Sequence, residues 1–179
     1  GLNFHLYGDY GLNVFNSRSL AYLKDKELES ACVSFELRFA QIRDLKKVLR
    51  AEAIVYGRLP LMITENCLVQ NETGCRLDRQ GPCVPEDGPC RCGQPNVLVD
   101  RTGAAFPLLP AYGHRTEIQN SKPLYLADRP EHRRLGLAYA RLRFTTETAE
   151  ECVSVVQNYL DAAPAAGDFT RGLYERGVE

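Results

Sequence analysis

The sequence predicts an α/β fold with parallel strand pairing. Three observations point there: the order strand, helix, strand, helix, strand before Gly57; the short spacing between those segments; and apolar runs bounded by charge. Such an order at such spacing favours right-handed crossovers between neighbouring parallel strands.

Leu12–Phe15 (LNVF) reads as a short buried strand, with Asn16 or Ser17 as the N-cap of a helix over Ser17–Lys26 that sets Leu20 and Leu23 on one face. Ala31–Leu37 (ACVSFEL) reads as a second strand. Ala40–Leu49 follows as an amphipathic helix through Ile42, Leu45, Val48 and Leu49, and Ala53–Tyr56 (AIVY) as a third strand. Beyond Ile63 the pattern breaks. Residues 65–94 are rich in Cys, Gly, Pro and charge and have no apolar period, a length of loop that something other than a core must order. Asn96–Asp100 and Ala104–Leu109 read as two strands around Arg101-Thr102-Gly103, with a further strand at Glu117–Asn120. Pro123–Ala127 is apolar, and Ala138–Phe144 alternates, placing Tyr139, Arg141 and Arg143 opposite Ala140, Leu142 and Phe144. Thr145–Thr148 caps a helix from Ala149 to about Leu160, with Cys152, Val155, Val156 and Tyr159 turned inward. Residues 162–179 are Gly-rich and carry no period. The expected organisation is half-barrel-type βα units over 1–64, a Cys-rich loop over 65–95, a β-hairpin and final βα unit over 96–161, and an irregular tail over 162–179.

Composition limits the function classes. With 25% charged residues and a net charge of −1, the chain has no long-range field to draw nucleic acid. Arg129, Arg133, Arg134, Arg141 and Arg143 are nonetheless dense enough for a local basic patch, although a solvated helix face explains Arg133 and Arg134 equally well. No apolar run approaches the roughly 18 residues of a membrane span. The opening residues are no signal peptide, since they include Asn3, His5 and Asp9, and a start without Met directly before an apolar segment reads as the interior of a longer protein.

Five of the seven cysteines (Cys67, Cys75, Cys83, Cys90, Cys92) fall in one loop, while Cys32 and Cys152 lie in apolar segments as small core residues. An odd, clustered set argues for a cytoplasmic protein using thiols for a metal or for chemistry. Thiolates suit zinc or an iron–sulfur cluster, and no His lies in the loop to share the work. The loop has no C-x2-C knuckle, which weakens a zinc ribbon and favours a cluster. On spacing, Cys67, Cys75, Cys90 and Cys92 are the expected ligands, with Cys83 as the alternative. Local disulfides and free thiols remain the plainer readings.

Several stretches resemble one family. Gly8-Asp9-Tyr10-Gly11-Leu12-Asn13-Val14-Phe15-Asn16-Ser17, then Ser34-Phe35-Glu36-Leu37 with Gln41-Ile42-Arg43-Asp44-Leu45, are similar to peptidase family U-32. So are Tyr56-Gly57-Arg58-Leu59-Pro60-Leu61-Met62 leading to Asn66-Cys67, Asn120-Ser121-Lys122-Pro123-Leu124, and Phe169-Thr170-Arg171-Gly172. The resemblance implies a partial TIM-like (β/α) barrel whose N-terminal half is missing, in a bacterial enzyme described as a collagenase-like peptidase. It also implies a Cys-ligated [4Fe-4S] cluster in some members, others of which assist hydroxylation of RNA bases or of a quinone precursor. Cys67 and Cys75 match the first two ligands of such a cluster and Cys92 a third. The usual late cysteine is replaced here by Leu124-Tyr125-Leu126, so Cys83 or Cys90 would supply the fourth, and zinc stays open. A half barrel leaves strand edges for its missing half or for a homodimer partner.

No protease signature is present: there is no H-E-x-x-H or G-x-S-x-G, and His5, His114 and His132 lie far apart in the sequence. The candidate catalytic residues are instead Asn13, Glu36 and Arg58, polar groups at the ends of three successive expected strands. Arg58 would clamp a carboxylate or phosphate of a peptide or RNA substrate, with Glu36 as its ion-pair partner or a general base. A purely structural Glu36–Arg58 pair and a metal-stapled binding module without activity are the alternatives to an enzyme.

Overall fold

A computed structural model describes residues 4–73 and 94–176. In chain order its strands are β1 (Leu6–Gly8), β2 (Leu28–Cys32), β3 (Arg50–Gly57), β4 (Pro60–Thr64), β5 (Asn96–Val99), β6 (Ala105–Ala111), β7 (Arg115–Gln119), β8 (Leu124–Tyr125) and β9 (Tyr139–Leu142). Its α-helices are α1 (Ser17–Asp25), α2 (Phe39–Asp44), α3 (Leu68–Thr73) and α4 (Ala149–Asp161). The fold is mixed α/β in two compact units, one formed by Gly1–Gly57 with Leu124–Glu179 and the other by Arg58–Pro123.

In the first unit β1, β2 and β3 pair in parallel and in sequence order, and β9 pairs in parallel with β3 (Ala53 opposite Ala140), while β8 runs antiparallel to the end of β3. Among the described residues this sheet is open. Every residue of β3 after Arg50 is buried, as expected of a parallel strand covered on both faces. Gly57 closes the strand at φ 121°, and a Cβ there would collide with the Arg143 carbonyl. Only glycine lets these two chain segments approach so closely.

Several elements differ from the sequence reading. The second strand is Leu28–Cys32 rather than Ala31–Leu37, because Ser34 turns the chain: its carbonyl accepts from the Leu37 N–H (3.2 Å) and its Oγ from the Glu36 N–H (3.3 Å). Leu12–Phe15 is not a strand. Tyr10–Leu12 forms a 3-10 turn capped by Asp9, Asn13 follows at φ 47°, and Val14 makes a single bridge to Val33. The helix expected through Leu49 stops at Asp44, where Lys47 Nζ donates to the carbonyls of Ile42 (2.6 Å) and Leu45 (3.2 Å). A lysine bonding the last carbonyls is a standard way to end a helix.

α4 begins at a reciprocal capping box: Thr148 Oγ1 accepts from the Glu151 N–H (3.3 Å), and Glu151 Oε2 accepts from the Thr148 N–H (2.7 Å). Val155 and Tyr159 turn inward onto Tyr56, Tyr125 and Ala127, but Val156, expected inside, is exposed. The tail, without an apolar period, is held all the same. Tyr174 is fully buried, its hydroxyl donates to the Ile54 carbonyl (2.6 Å), and its ring stacks on Phe39 at 5.2 Å.

The second unit is a four-stranded antiparallel sheet in the order β4-β7-β6-β5. The expected hairpin is present as β5 and β6, and its turn is organised by Asp100, whose carboxylate accepts from the N–H groups of Thr102 (2.7 Å) and Ala104 (3.0 Å). Thr116, Ile118 and Gln119 of β7 and Leu108 of β6 are its buried centre.

Candidate functional site

In open parallel sheets, ligands gather where the carboxyl ends of the strands meet. In the first unit a charged and aromatic cluster lies where β1 and β2 end, at the level of Glu52, the third residue of the longer β3. Arg141 of β9 gives its Nε and Nη2 to the two oxygens of Glu52 (3.1 and 2.7 Å), a two-pronged bond to a largely buried carboxylate on β3. Its Nη1 reaches Asp9, the residue after β1, which also accepts from the Tyr10 N–H (2.7 Å). Arg143, two positions on, lies over the Tyr10 ring at 5.3 Å and donates to the Tyr10 hydroxyl (3.3 Å); Tyr10 in turn packs against Phe35 at 6.0 Å. The period of two along an extended strand puts Arg141 and Arg143 on the same side.

Cys32, at the end of β2, lies behind this cluster. Burial pushes its thiol up to about 12, so it is a neutral core group rather than a nucleophile at ordinary pH. His132 is buried in the 3-10 turn Pro130–Arg134, bonded to the Arg129 carbonyl, with burial lowering its basicity. His5 bonds Glu29 (3.1 Å) at the opposite, amino end of the sheet. These contacts form no nucleophile–base pair among the described residues.

The residues singled out from sequence fall in different places. Asn13 caps the 3-10 turn in a left-handed conformation, and Glu36 sits half-buried in the turn after Ser34, both at the carboxyl end of the first unit's sheet. Arg58 belongs to the second unit, where its guanidinium donates to the carbonyls of Asn120 (3.0 Å) and Ser121. There it joins the start of β4 to the end of β7. Asp9, Tyr10, Glu52 and Arg141 were not singled out as one site, although the same-side spacing of Arg141 and Arg143 was visible. Two more arginines of the basic stretch are engaged elsewhere: Arg129 pairs with Glu175 (3.0 Å) and Arg133 donates to the Tyr159 carbonyl (2.9 Å).

Of the five loop thiols, Cys67 alone is among the described residues; Cys75, Cys83, Cys90 and Cys92 lie outside them. Cys67 is a half-buried free thiol whose sulfur accepts from the Gln70 N–H (3.4 Å). The turn before it is tied down: Thr64 Oγ1 donates to the Asn66 carbonyl (2.6 Å), Glu65 pairs with Arg115 (3.3 Å), and the Leu68 N–H donates to Thr116 Oγ1 (3.1 Å). The Cys67 sulfur thereby caps the first turn of α3.

A largely parallel sheet with its helices in the first unit, and an antiparallel sheet in the second, define a mixed α/β protein. The sequence signature of peptidase family U32 matches residues 2–101, more than half the chain, and the protein belongs to that family. No curated protein and no solved structure matches the chain. Among the described residues no helix is long and apolar enough to cross a membrane.

Proposed function

We propose that this chain is the part of a U32-family enzyme that carries a Cys-ligated centre, a [4Fe-4S] cluster or zinc, serving the modification of an RNA base or an aromatic precursor in the cytoplasm. The observation that carries this reading is Cys67, a half-buried thiol fixed by the Gln70 N–H, with four further cysteines in the 25 residues that follow it. Cys67, Cys75, Cys90 and Cys92 would hold the centre, with Cys83 as the alternative fourth ligand. Such a group supplies electron transfer if it is a cluster and a structural or Lewis-acid role if it is zinc. Around it, the Thr64–Asn66 bond and the Glu65–Arg115 pair position the ligand-bearing turn. In the same proposal β1, β2, β3 and β9, parallel and in sequence order, are part of a TIM-like barrel completed by further strands.

Peptide hydrolysis is the second reading, favoured by the family match. Cys32 is buried with its thiol pushed up to about 12, and His5 and His132 are bonded to Glu29 and to the Arg129 carbonyl, so none of these three supplies a nucleophile–base pair for it.

Anaerobic purification with iron, sulfide and zinc counted per chain, alongside a visible absorption spectrum, separates these readings. The proposal expects iron and sulfide in equal amounts with a broad absorption near 400 nm, or one zinc per chain. Loss of the metal in Cys67→Ser is expected with either. A metal-free protein with bridged or free loop thiols, or peptide cleavage by the metal-free full-length enzyme, would sink it.

A further inference from the structure

The helix α4 lies in the first unit, apart from the thiol centre proposed above. We infer that its outward face is a docking surface for an amphipathic helix of a partner protein, one whose apolar stripe is flanked by lysine or arginine.

The observation is a second apolar stripe on a helix that needs only one. Val155 and Tyr159 already seat α4 on Tyr56, Tyr125 and Ala127. Val153, Val156 and Leu160 are nonetheless 71%, 42% and 72% exposed. At about 3.6 residues per turn these three share one side of the helix, turned away from the seated face. Isolated exposed apolar residues are ordinary, but a row at positions i, i+3 and i+7 is the pattern by which one helix packs on another.

Charge decides which helix fits. Glu150, Gln157 and Asp161, all exposed, form a polar row beside the stripe, with Gln157 Nε2 donating to Asp161 (2.9 Å). The segment Ala149–Asp161 carries Glu150, Glu151 and Asp161 and neither lysine nor arginine. Arg133 reaches its last turn, where it donates to the Tyr159 carbonyl (2.9 Å). A second copy of the chain fits poorly. Two such stripes packed antiparallel set Val153 opposite Leu160 and bring Glu150 of one protomer alongside Asp161 of the other, with no cation on α4 between them. Like charges so placed oppose pairing, whereas lysine or arginine beside a partner's stripe meets the acidic row with opposite charge.

The test follows the full chain by fluorescence anisotropy with three labelled synthetic helical peptides of equal length. One has a leucine stripe flanked by lysines, one the same stripe flanked by glutamates, and one the lysine peptide reordered to break the stripe. The first is expected to bind, and the other two at least about tenfold more weakly. Leu160→Asn and Val153→Asn, both at exposed positions, should each weaken the first peptide about tenfold. Glu150→Gln should weaken it about threefold and flatten its salt dependence. Val97→Asn, at an exposed apolar position of the second unit, should leave binding unchanged. Circular dichroism of each variant confirms folding. No binding of the first peptide up to about 1 mM, equal binding of all three, or equal loss in Val97→Asn and Leu160→Asn would overturn the inference. So would a dimer in sedimentation equilibrium that Leu160→Asn dissolves, because the occupant would then be a second copy.

Discussion

The two units bury their strands in opposite ways. In the first, β3 is covered along its length, and three carbonyl or amide groups near it are answered by two tyrosines: the buried Tyr174 donates to Ile54, and the half-buried Tyr159 donates to Val55 (2.5 Å) while accepting from Leu126 (2.8 Å). In the second, the outer strands carry three successive exposed apolar residues each, Leu61, Met62 and Ile63 on β4 and Val97, Leu98 and Val99 on β5. A buried polar group left unpaired is costly, so the first unit must solve its hydrogen bonding internally. Among the described residues the second leaves the outer edges of its end strands without a β-partner and concentrates its burial on the middle strands. Side-chain changes should therefore cost most in the first unit and least on the edges of the second.

The largest effect is expected at Tyr174. Its truncation to alanine empties a fully buried site, removes the stacking on Phe39 and leaves the Ile54 carbonyl unanswered. Tyr174→Ala should cost about 3–5 kcal/mol, the range for large aromatic deletions. Tyr174→Phe keeps the ring and should cost only about 1 kcal/mol for the lost hydrogen bond. Urea unfolding of the pair would check the order. Equal, small losses in both would mean that the tail does not seal this core.

Tyr174 also shows where the sequence is silent. It lies in a Gly-rich stretch with no period, and nothing local marks it as a core residue; only the return of the chain to β3 buries it. The helices were easier to read, because Asn16 with two N–H groups on its side chain and the Thr148–Glu151 box are local devices. Strand boundaries were displaced where a single polar residue redirects the chain, as Ser34 does after β2. The strand β4 was missed because its Leu-Met-Ile run follows Pro60 directly and does not alternate. At the candidate site, the common side of Arg141 and Arg143 was legible from alternation. Their partners Glu52, Asp9 and Tyr10 are more than 80 positions away and meet them only through the parallel register.

A second, intermediate effect follows from titration in the first unit. Burial raises the Cys32 thiol to about 12 and also raises the Tyr159 and Tyr174 hydroxyls. A group with a raised folded value contributes its stability fully below the unfolded value, about 8.5 for a thiol, and loses it as pH rises toward the folded value. Stability measured by urea unfolding should thus decline between about pH 8.5 and 12. At pH 8 iodoacetamide should label Cys67 in metal-free protein well before Cys32, which should react only on unfolding, as read by peptide mass spectrometry. Rapid labelling of native Cys32 would place the first unit among loosely packed sheets and erase the contrast between the units.

The smallest effect is expected on the second unit's edge. Ile63→Lys replaces an exposed β-branched residue on β4 with a charge, opposite Glu117 of β7. A cross-strand pair of opposite charge adds a few tenths of a kcal/mol, and an edge lysine opposes strand addition from outside. The net change in stability should stay within about 0.5 kcal/mol, with solubility improved rather than reduced. A loss above about 2 kcal/mol would be the cost of a buried apolar side chain rather than an exposed one. That outcome would mean that the β4 edge is covered in solution, and that both units bury their strands after all.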